Sequence, residues 1–177
     1  MIFKKMNLEG VYLIESEKIE DERGFFARVW DSKKFLENNL NPKIVQCNIS
    51  RTKLKGTIRG LHYQKNPFEE NKLIRCTKGK IFDVLLDLRP TSKTFKKYEG
   101  FELSEDNHKM VYVPEGFAHG FQTLENNSEV FYQVSQWYTP SSESGIKWND
   151  PAFQIKWPLD LAEISQKDQN WKLFKED

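Results

Sequence analysis

Short β-rich stretches separated by turn residues recur along the whole chain, and this pattern limits the fold more than any other feature. Hydrophobic side chains alternate within them, so that Val130, Tyr132 and Val134 share one face of a strand. The predicted strands are Gly10–Ile14, Gly24–Trp30, Ile44–Ser50, Thr57–Gln64, Leu73–Thr77, Lys80–Leu88, Tyr98–Leu103, Met110–Val113 and Val130–Trp137. Short strands with turns at intervals of about ten residues are typical of sandwiches and barrels. The sequence therefore predicts an all-β protein, an antiparallel β-barrel of jelly-roll type.

Two segments carry helix signals. Asp31 can cap a short helix over Ser32–Asn39, which would end at Asn41–Pro42. A second candidate lies around Ser165–Trp171. We expect a few short helices beside the barrel.

Length and charge exclude several classes of protein. The 177 residues suit a single domain, residues 1–177. The formal net charge is +1, and there is no block of like charges that would mark a nucleic-acid or anionic membrane partner. No apolar run approaches about 18 residues, and residues 1–7 lack the apolar core of a signal peptide. We therefore expect a cytoplasmic protein with neither nucleic acid nor membrane as its partner.

The three histidines, His62, His108 and His119, give a poor metal set. The stretch Pro114–His119 resembles the second half of the cupin signature, whose histidine is often a metal ligand. In the first half, the place of the second histidine is taken by Gln64. A catalytic metal normally needs about three protein ligands. The sequence predicts no metal site, and His108 is expected to be a solvated turn residue.

Several motifs follow one another in the order of a known family. They are Asp21-Glu22-Arg23-Gly24-Phe25-Phe26, Gln46-Cys47-Asn48-Ile49-Ser50, Arg59-Gly60-Leu61-His62-Tyr63-Gln64, Phe82-Asp83-Val84, Asp87-Leu88-Arg89, Val113-Pro114-Glu115-Gly116-Phe117-Ala118-His119-Gly120-Phe121, Trp148-Asn149-Asp150-Pro151, Ile155-Lys156-Trp157-Pro158 and Ser165-Gln166-Lys167-Asp168. Over almost its full length the chain resembles the dTDP-4-dehydrorhamnose 3,5-epimerase family. The resemblance implies a cupin-type jelly roll, an isomerase without a cofactor, and a nucleotide-diphosphate sugar as substrate.

The family's reaction needs a base, an acid and a cation beside a ketone. A carbonyl at C4 of the sugar acidifies the C–H bonds at C3 and C5, so one group removes a proton and another returns one on the opposite face. By resemblance His62 is the base, Asp168 its partner and Tyr132 the acid. Lys72 is the candidate for stabilising the enolate oxygen.

Further residues match the family's binding positions. Arg23 and Arg59 suit the diphosphate, because a guanidinium donates two parallel hydrogen bonds. Tyr138 corresponds to an aromatic position that stacks on the nucleotide base. The other matches offer hydrogen bonds or charge to the substrate: Gln46, Asn48, His119, Glu143 and Lys167. The family is typically homodimeric, with N-terminal strands that help to close the neighbour's site, and a homodimer is therefore expected here.

Arg28 departs from the family pattern, which commonly has a glutamate that contacts the substrate at this place. An arginine can only donate hydrogen bonds, so the hypothesis is an altered choice of nucleotide-linked 4-keto sugar with unchanged chemistry. Three alternatives stay open: an epimerase acting at C3 only or C5 only, a ketoisomerase on the same barrel, and a non-catalytic sugar-nucleotide-binding cupin.

Overall fold

A computed structural model describes residues 1–175, which form mainly antiparallel strands. The strands are β1 (Ile2–Lys5), β2 (Tyr12–Glu15), β3 (Lys18–Asp21), β4 (Gly24–Ala27), β5 (Gln46–Thr52), β6 (Thr57–Gln64), β7 (Lys72–Lys78), β8 (Lys80–Asp87), β9 (Tyr98–Ser104), β10 (Met110–Val113), β11 (Phe117–Thr123), β12 (Ser128–Val134), β13 (Glu143–Gly145) and β14 (Glu163–Ile164). The helices are α1 (Ser32–Glu37) and α2 (Gln166–Gln169), with a 3-10 turn at Pro140–Ser142.

Two sheets pack face to face. One has the order β1-β2-β10-β7-β12-β5, and the other runs β13-β6-β11-β8-β9 with β14 added in parallel to β6. The core between them takes Ile74, Val111 and Val130 from the first sheet and Leu85 and Phe121 from the second. The predicted all-β fold of cupin-type jelly-roll architecture is confirmed.

The second sheet is buried on both faces. Leu85 of β8 points into the core between the sheets, whereas Val84 and Leu86 pack on the opposite face against Ile146 and Phe153 of the C-terminal region. The aspartates of β8 therefore do not face water, although their alternation with hydrophobic residues is also typical of a half-exposed strand. Asp83 and Asp87 are both 0 % exposed.

The element boundaries differ from the sequence-based expectations mainly in the connecting regions. Strands β6 and β10 have the predicted bounds, whereas α1 stops at Glu37 because Asn38 already caps it. The segment after the Pro114–Gly116 turn forms β11, which the alternation pattern did not predict. His108 has a positive φ of 50° in its turn but is only partly exposed, since its ring lies 5.0 Å from that of Phe25.

Strands β3 and β4 form a separate hairpin that carries large apolar side chains to the surface. Ile19, Phe25 and Phe26 are 69, 47 and 62 % exposed. Within residues 1–175, no helix combines the length and hydropathy needed to cross a bilayer.

Candidate active site

Two cavities open between the sheets and meet at three side chains. The larger, about 580 Å³, lies beside α2, and the smaller, about 330 Å³, extends toward Tyr138 and Glu143. His62, Lys72 and Tyr132 line both. The proposed base, acid and oxyanion partner thus come together at the junction.

The predicted base and the predicted acid come from opposite sheets. His62 lies on β6 of the second sheet, while Tyr132 lies on β12 of the first. Lys72 begins β7, the neighbour of β12, where the pairs Lys72–Val134 and Ile74–Tyr132 put Lys72 and Tyr132 on the same face. A substrate held between the sheets would have an imidazole on one side and a phenol on the other.

His62 is paired with a buried carboxylate. Its Nε2 lies 2.6 Å from Asp168 Oδ1, and the Gly60 N–H donates to Asp168 Oδ2 at 3.2 Å. Burial raises the pKa of the Asp168 carboxyl, but hydrogen bonds from His62, Gly60 and Ser165 outweigh it and hold the pKa below its usual value. The carboxylate stays ionised, fixes the orientation of the imidazole and would stabilise an imidazolium on His62.

The chain brings Asp168 to the site through a short parallel strand pair and a capped helix. Strand β14 pairs with β6 at Ile164 and Ile58, and α2 begins directly afterwards. Ser165 caps that helix, since its Oγ accepts from the Asp168 N–H at 3.1 Å.

Tyr132 is half-buried against the core. Burial raises the pKa of its phenol, the negative charge of Glu70 raises it further, and Arg59 opposes the shift. The phenol therefore keeps its proton at neutral pH, as a group that must donate one requires.

Lys72 is paired with Glu70, a residue that the sequence analysis did not single out. Its Nζ lies 3.0 Å from Glu70 Oε1, and the two side chains are only 10 and 12 % exposed. A carboxylate two residues before a lysine in an extended segment points to the same side. The two-residue spacing of Glu70 and Lys72 was the sequence signal that could have identified Glu70.

His119 forms a second histidine–carboxylate pair in the larger cavity. It is the register partner of His62 across β6 and β11, and its Nε2 lies 2.7 Å from Asp83 Oδ1. Asp83 was also not predicted as a site residue. Its burial depends on the sheet that faces it, which the strand sequence does not reveal.

The larger cavity has an excess of positive charge. Arg51, Lys53, Arg59, Lys72 and Lys167 line it against two carboxylates, Glu163 and Asp168. Arg59 is held by Thr52 Oγ1, which accepts from its Nε at 2.9 Å. Such a lining favours an anionic group of the size of a diphosphate.

The smaller cavity holds the other predicted binding residues. Gln46 and Asn48 line it from β5, and Tyr138 Oη donates to Glu143 at 2.8 Å. Lys167 of the larger cavity also binds Glu143, at 2.5 Å, and so connects the two.

Arg23 and Arg28 lie outside both cavities of their own chain. Arg23 is exposed on the β3–β4 hairpin and paired with Asp21, and Arg28 Nη1 lies 3.2 Å from Asp31. The structure of one chain therefore brings together the predicted site residues except these two. Over residues 1–175 no group of three or more His, Cys, Asp or Glu is placed to hold a metal ion.

Comparison with known proteins agrees with this arrangement. The profile of the dTDP-4-dehydrorhamnose 3,5-epimerase family matches residues 5–176. The chain belongs to this family. The enzyme of that name from Methanothermobacter thermautotrophicus is 42 % identical over 177 residues, which cover 98 % of this chain and 95 % of the relative. Family membership, predicted from the order of the motifs, is confirmed, and the chain is an epimerase of the isomerase class.

Solved structures of family members superpose over nearly the whole chain. The epimerase from Elizabethkingia anophelis has a TM-score of 0.95 at 42 % identity, covering 98 % of this chain and 96 % of its own. The enzyme from Legionella pneumophila, solved in complex with dTDP-4-keto-L-rhamnose, has a TM-score of 0.91 at 36 % identity and covers 97 and 92 %.

Proposed function

We propose that this chain inverts C3 and C5 of dTDP-4-keto-6-deoxyglucose, or of a closely related nucleotide-linked 4-keto sugar, to give dTDP-4-keto-L-rhamnose or its counterpart. The observation that carries the proposal is the placement of His62 and Tyr132 on facing sheets, with Lys72 beside the phenol. Inversion of a carbon beside a ketone needs this two-sided arrangement.

Each inversion uses the same three groups. Neutral His62 takes the proton from the carbon, and the electron pair moves into the carbonyl, where the resulting enolate oxygen accepts a hydrogen bond from the Lys72 ammonium. Tyr132 returns a proton to the opposite face of the carbon. The imidazolium and the phenolate are then reset by proton exchange with water, so each turnover leaves one solvent hydrogen on the inverted carbon.

The remaining residues suit the nucleotide diphosphate. Arg59 and Lys167 lie in the cationic cavity and would bind phosphate oxygens, and His119 lines the same cavity. Gln46, Asn48, Glu143 and Tyr138 would bind the sugar and the base. In the Legionella pneumophila structure the bound compound is a sugar nucleotide of this class.

A homodimer would give the exposed arginines a role. The β3–β4 hairpin exposes Ile19, Phe25 and Phe26, an apolar surface that a second copy can cover. Arg23 and Arg28 on or beside this hairpin would then contribute to the partner's cavity. A cytoplasmic location is part of the same proposal, because nucleotide sugars are cytoplasmic substrates.

Hydrogen exchange with solvent tests this function. The protein is incubated with dTDP-4-keto-6-deoxyglucose in D₂O, and deuterium at C3 and C5 is followed by NMR and mass spectrometry. We expect label at both carbons, lost in His62→Ala and Tyr132→Phe. Glu102→Gln, which changes an exposed residue of β9 outside both cavities, should exchange like the unaltered protein. Label at one carbon would indicate a mono-epimerase, and binding without exchange would overturn the proposal in favour of a binding protein.

A further inference from the structure

The carboxylate of Glu70 lies at the junction of the two cavities without a role in the reaction described above. It lines the smaller cavity with His62, Lys72 and Tyr132, and its side chain is 12 % exposed. A buried ion pair contributes little net stability, because removing both charges from water costs about as much as their attraction returns. Stability alone therefore does not explain why this ion pair is present. Its position beside the proposed reacting groups points to a role in the reaction.

Glu70 lies against the buried side chain of Gln64. Gln64 Nε2 lies 3.4 Å from Glu70 Oε2, and Gln64 is itself 4 % exposed. The same nitrogen has closer acceptors in Phe68 O at 2.9 Å and Trp137 O at 3.2 Å, and Gln64 Oε1 accepts from the Thr139 N–H at 2.6 Å. With Oε2 directed to Gln64, Oε1 is left to face the Lys72 ammonium.

The other charged groups around the junction have different partners. Glu143 is bound by Lys167 and Tyr138, and Asp168 is bound by His62. The remaining titratable or charged groups of the two cavities are Arg51, Lys53, Arg59, Tyr63, His119 and Glu163. Within residues 1–175, the carboxylate that forms an ion pair with Lys72 is that of Glu70.

We propose that Glu70 is a positioning residue for the epimerisation: it holds the Lys72 ammonium toward the ketone oxygen and places a negative charge in the same cavity as the Tyr132 phenol. The inference rests on the proposed function and deepens it. Lys72 has a long, flexible stem, and a fixed carboxylate at 3.0 Å removes the freedom that would otherwise be lost on substrate binding. The charge of Glu70 also raises the pKa of Tyr132.

Glu70→Gln separates this role from simple packing, because it keeps the shape of the side chain and removes its charge. Without the negative charge, the pKa of Tyr132 falls, so the phenol loses its proton at lower pH. We expect kcat to drop about tenfold or more, and the basic limb of the kcat–pH profile to move to lower pH. Loss of packing alone would lower kcat without moving the limb.

Two further variants complete the experiment. Glu70→Asp keeps the charge but is shorter by one methylene, so the basic limb should stay near its original pH while kcat falls. Glu69→Gln makes the same chemical change in the neighbouring residue, which accepts a hydrogen bond from Asn66 and lines neither cavity. Its kcat and pH profile should match those of the unaltered protein.

The outcomes are distinguishable. A folded Glu70→Gln protein, judged by circular dichroism and thermal melting, with an unmoved basic limb overturns the proposal. If that variant does not fold, Glu70→Asp decides: unchanged kcat overturns the positioning role, and so does a kcat loss that comes with a lower melting temperature, whereas a reduced kcat at an unchanged melting temperature supports it. Absence of exchange in the unaltered protein would instead contradict the proposed function.

Discussion

At the scale of single residues, the site depends on largely buried carboxylates that form ion pairs with the neighbouring His62 and Lys72. Asp168 is 3 % exposed and bound to His62, and Glu70 is paired with Lys72. In the proposed reaction, His62 becomes a cation when it takes a proton, and Lys72 meets the substrate as a cation. The buried anion behind each of them supplies the compensating charge.

Asp168→Asn tests the first of these pairs. The amide cannot stabilise the imidazolium, so we expect kcat to fall by about 10²–10⁴-fold. Because His62 and Asp168 act as a unit, the double variant His62→Ala/Asp168→Asn should be no slower than His62→Ala alone. Steady-state kinetics of the three variants would show this, and multiplicative losses would mean that the two residues act independently.

The same substitution has a pH-dependent effect on stability. The pKa of Asp168 is lower in the folded protein than its ordinary value, so its contribution is present above the unfolded-state pKa, near 3.8. It is lost as the pH falls through the lower, folded-state pKa. The difference in unfolding free energy between the unaltered protein and Asp168→Asn should therefore shrink as the pH falls below about 4. Urea denaturation at several pH values measures it.

The sequence supported residue-level prediction unevenly. His62 lies in the motif of residues 59–64, and Tyr132 and Lys72 match positions of the family, so all three could be assigned by resemblance. Glu70 and Asp83 could not be assigned a role, since what matters is which side chain lies opposite, and His119 and Asp83 are 36 positions apart. Alternation along a strand gives the face of a residue but not what covers that face.

At the scale of elements, the short helix α2 has a larger effect on the site than its four residues suggest. It lies directly after β14, and its Ser165 cap fixes the backbone of Asp168. Isolated helices of this length are not stable in water. Its position thus depends on the cap and on the contacts of Asp168 with β6.

Ser165→Ala should loosen this arrangement. Loss of a cap costs about 1 kcal/mol of stability, and here it should also lower kcat several-fold because Asp168 is displaced from His62. Ser165→Thr keeps a capping hydroxyl and should restore both values. Thermal melts and kcat measured on the same preparations provide the test, and a stability loss with unchanged kcat would show that α2 holds its position without the cap.

At the scale of the whole molecule, the site of one chain lacks two of the residues that the sequence predicts for it. Arg23 is 88 % exposed in its side chain and lies on a hairpin that packs little apolar surface onto its own barrel. The strand pattern predicted the barrel because the hydrophobic residues that alternate along the strands pack into the core of the same chain. It could not predict the place of the hairpin, whose apolar side chains face outward and would be buried only by a second copy in the proposed homodimer.

Complementation between two defective variants decides whether Arg23 acts in the partner's site. In a dimer with exchanged hairpins, a His62→Ala chain paired with an Arg23→Ala chain has one site with both defects and one with neither. Random pairing of the two, co-expressed with different tags, should therefore recover about a quarter of the unaltered activity, because half of the dimers have one intact site. If Arg23 acted within its own chain, every site would contain one defect. The mixture would then be no more active than the average of its two components.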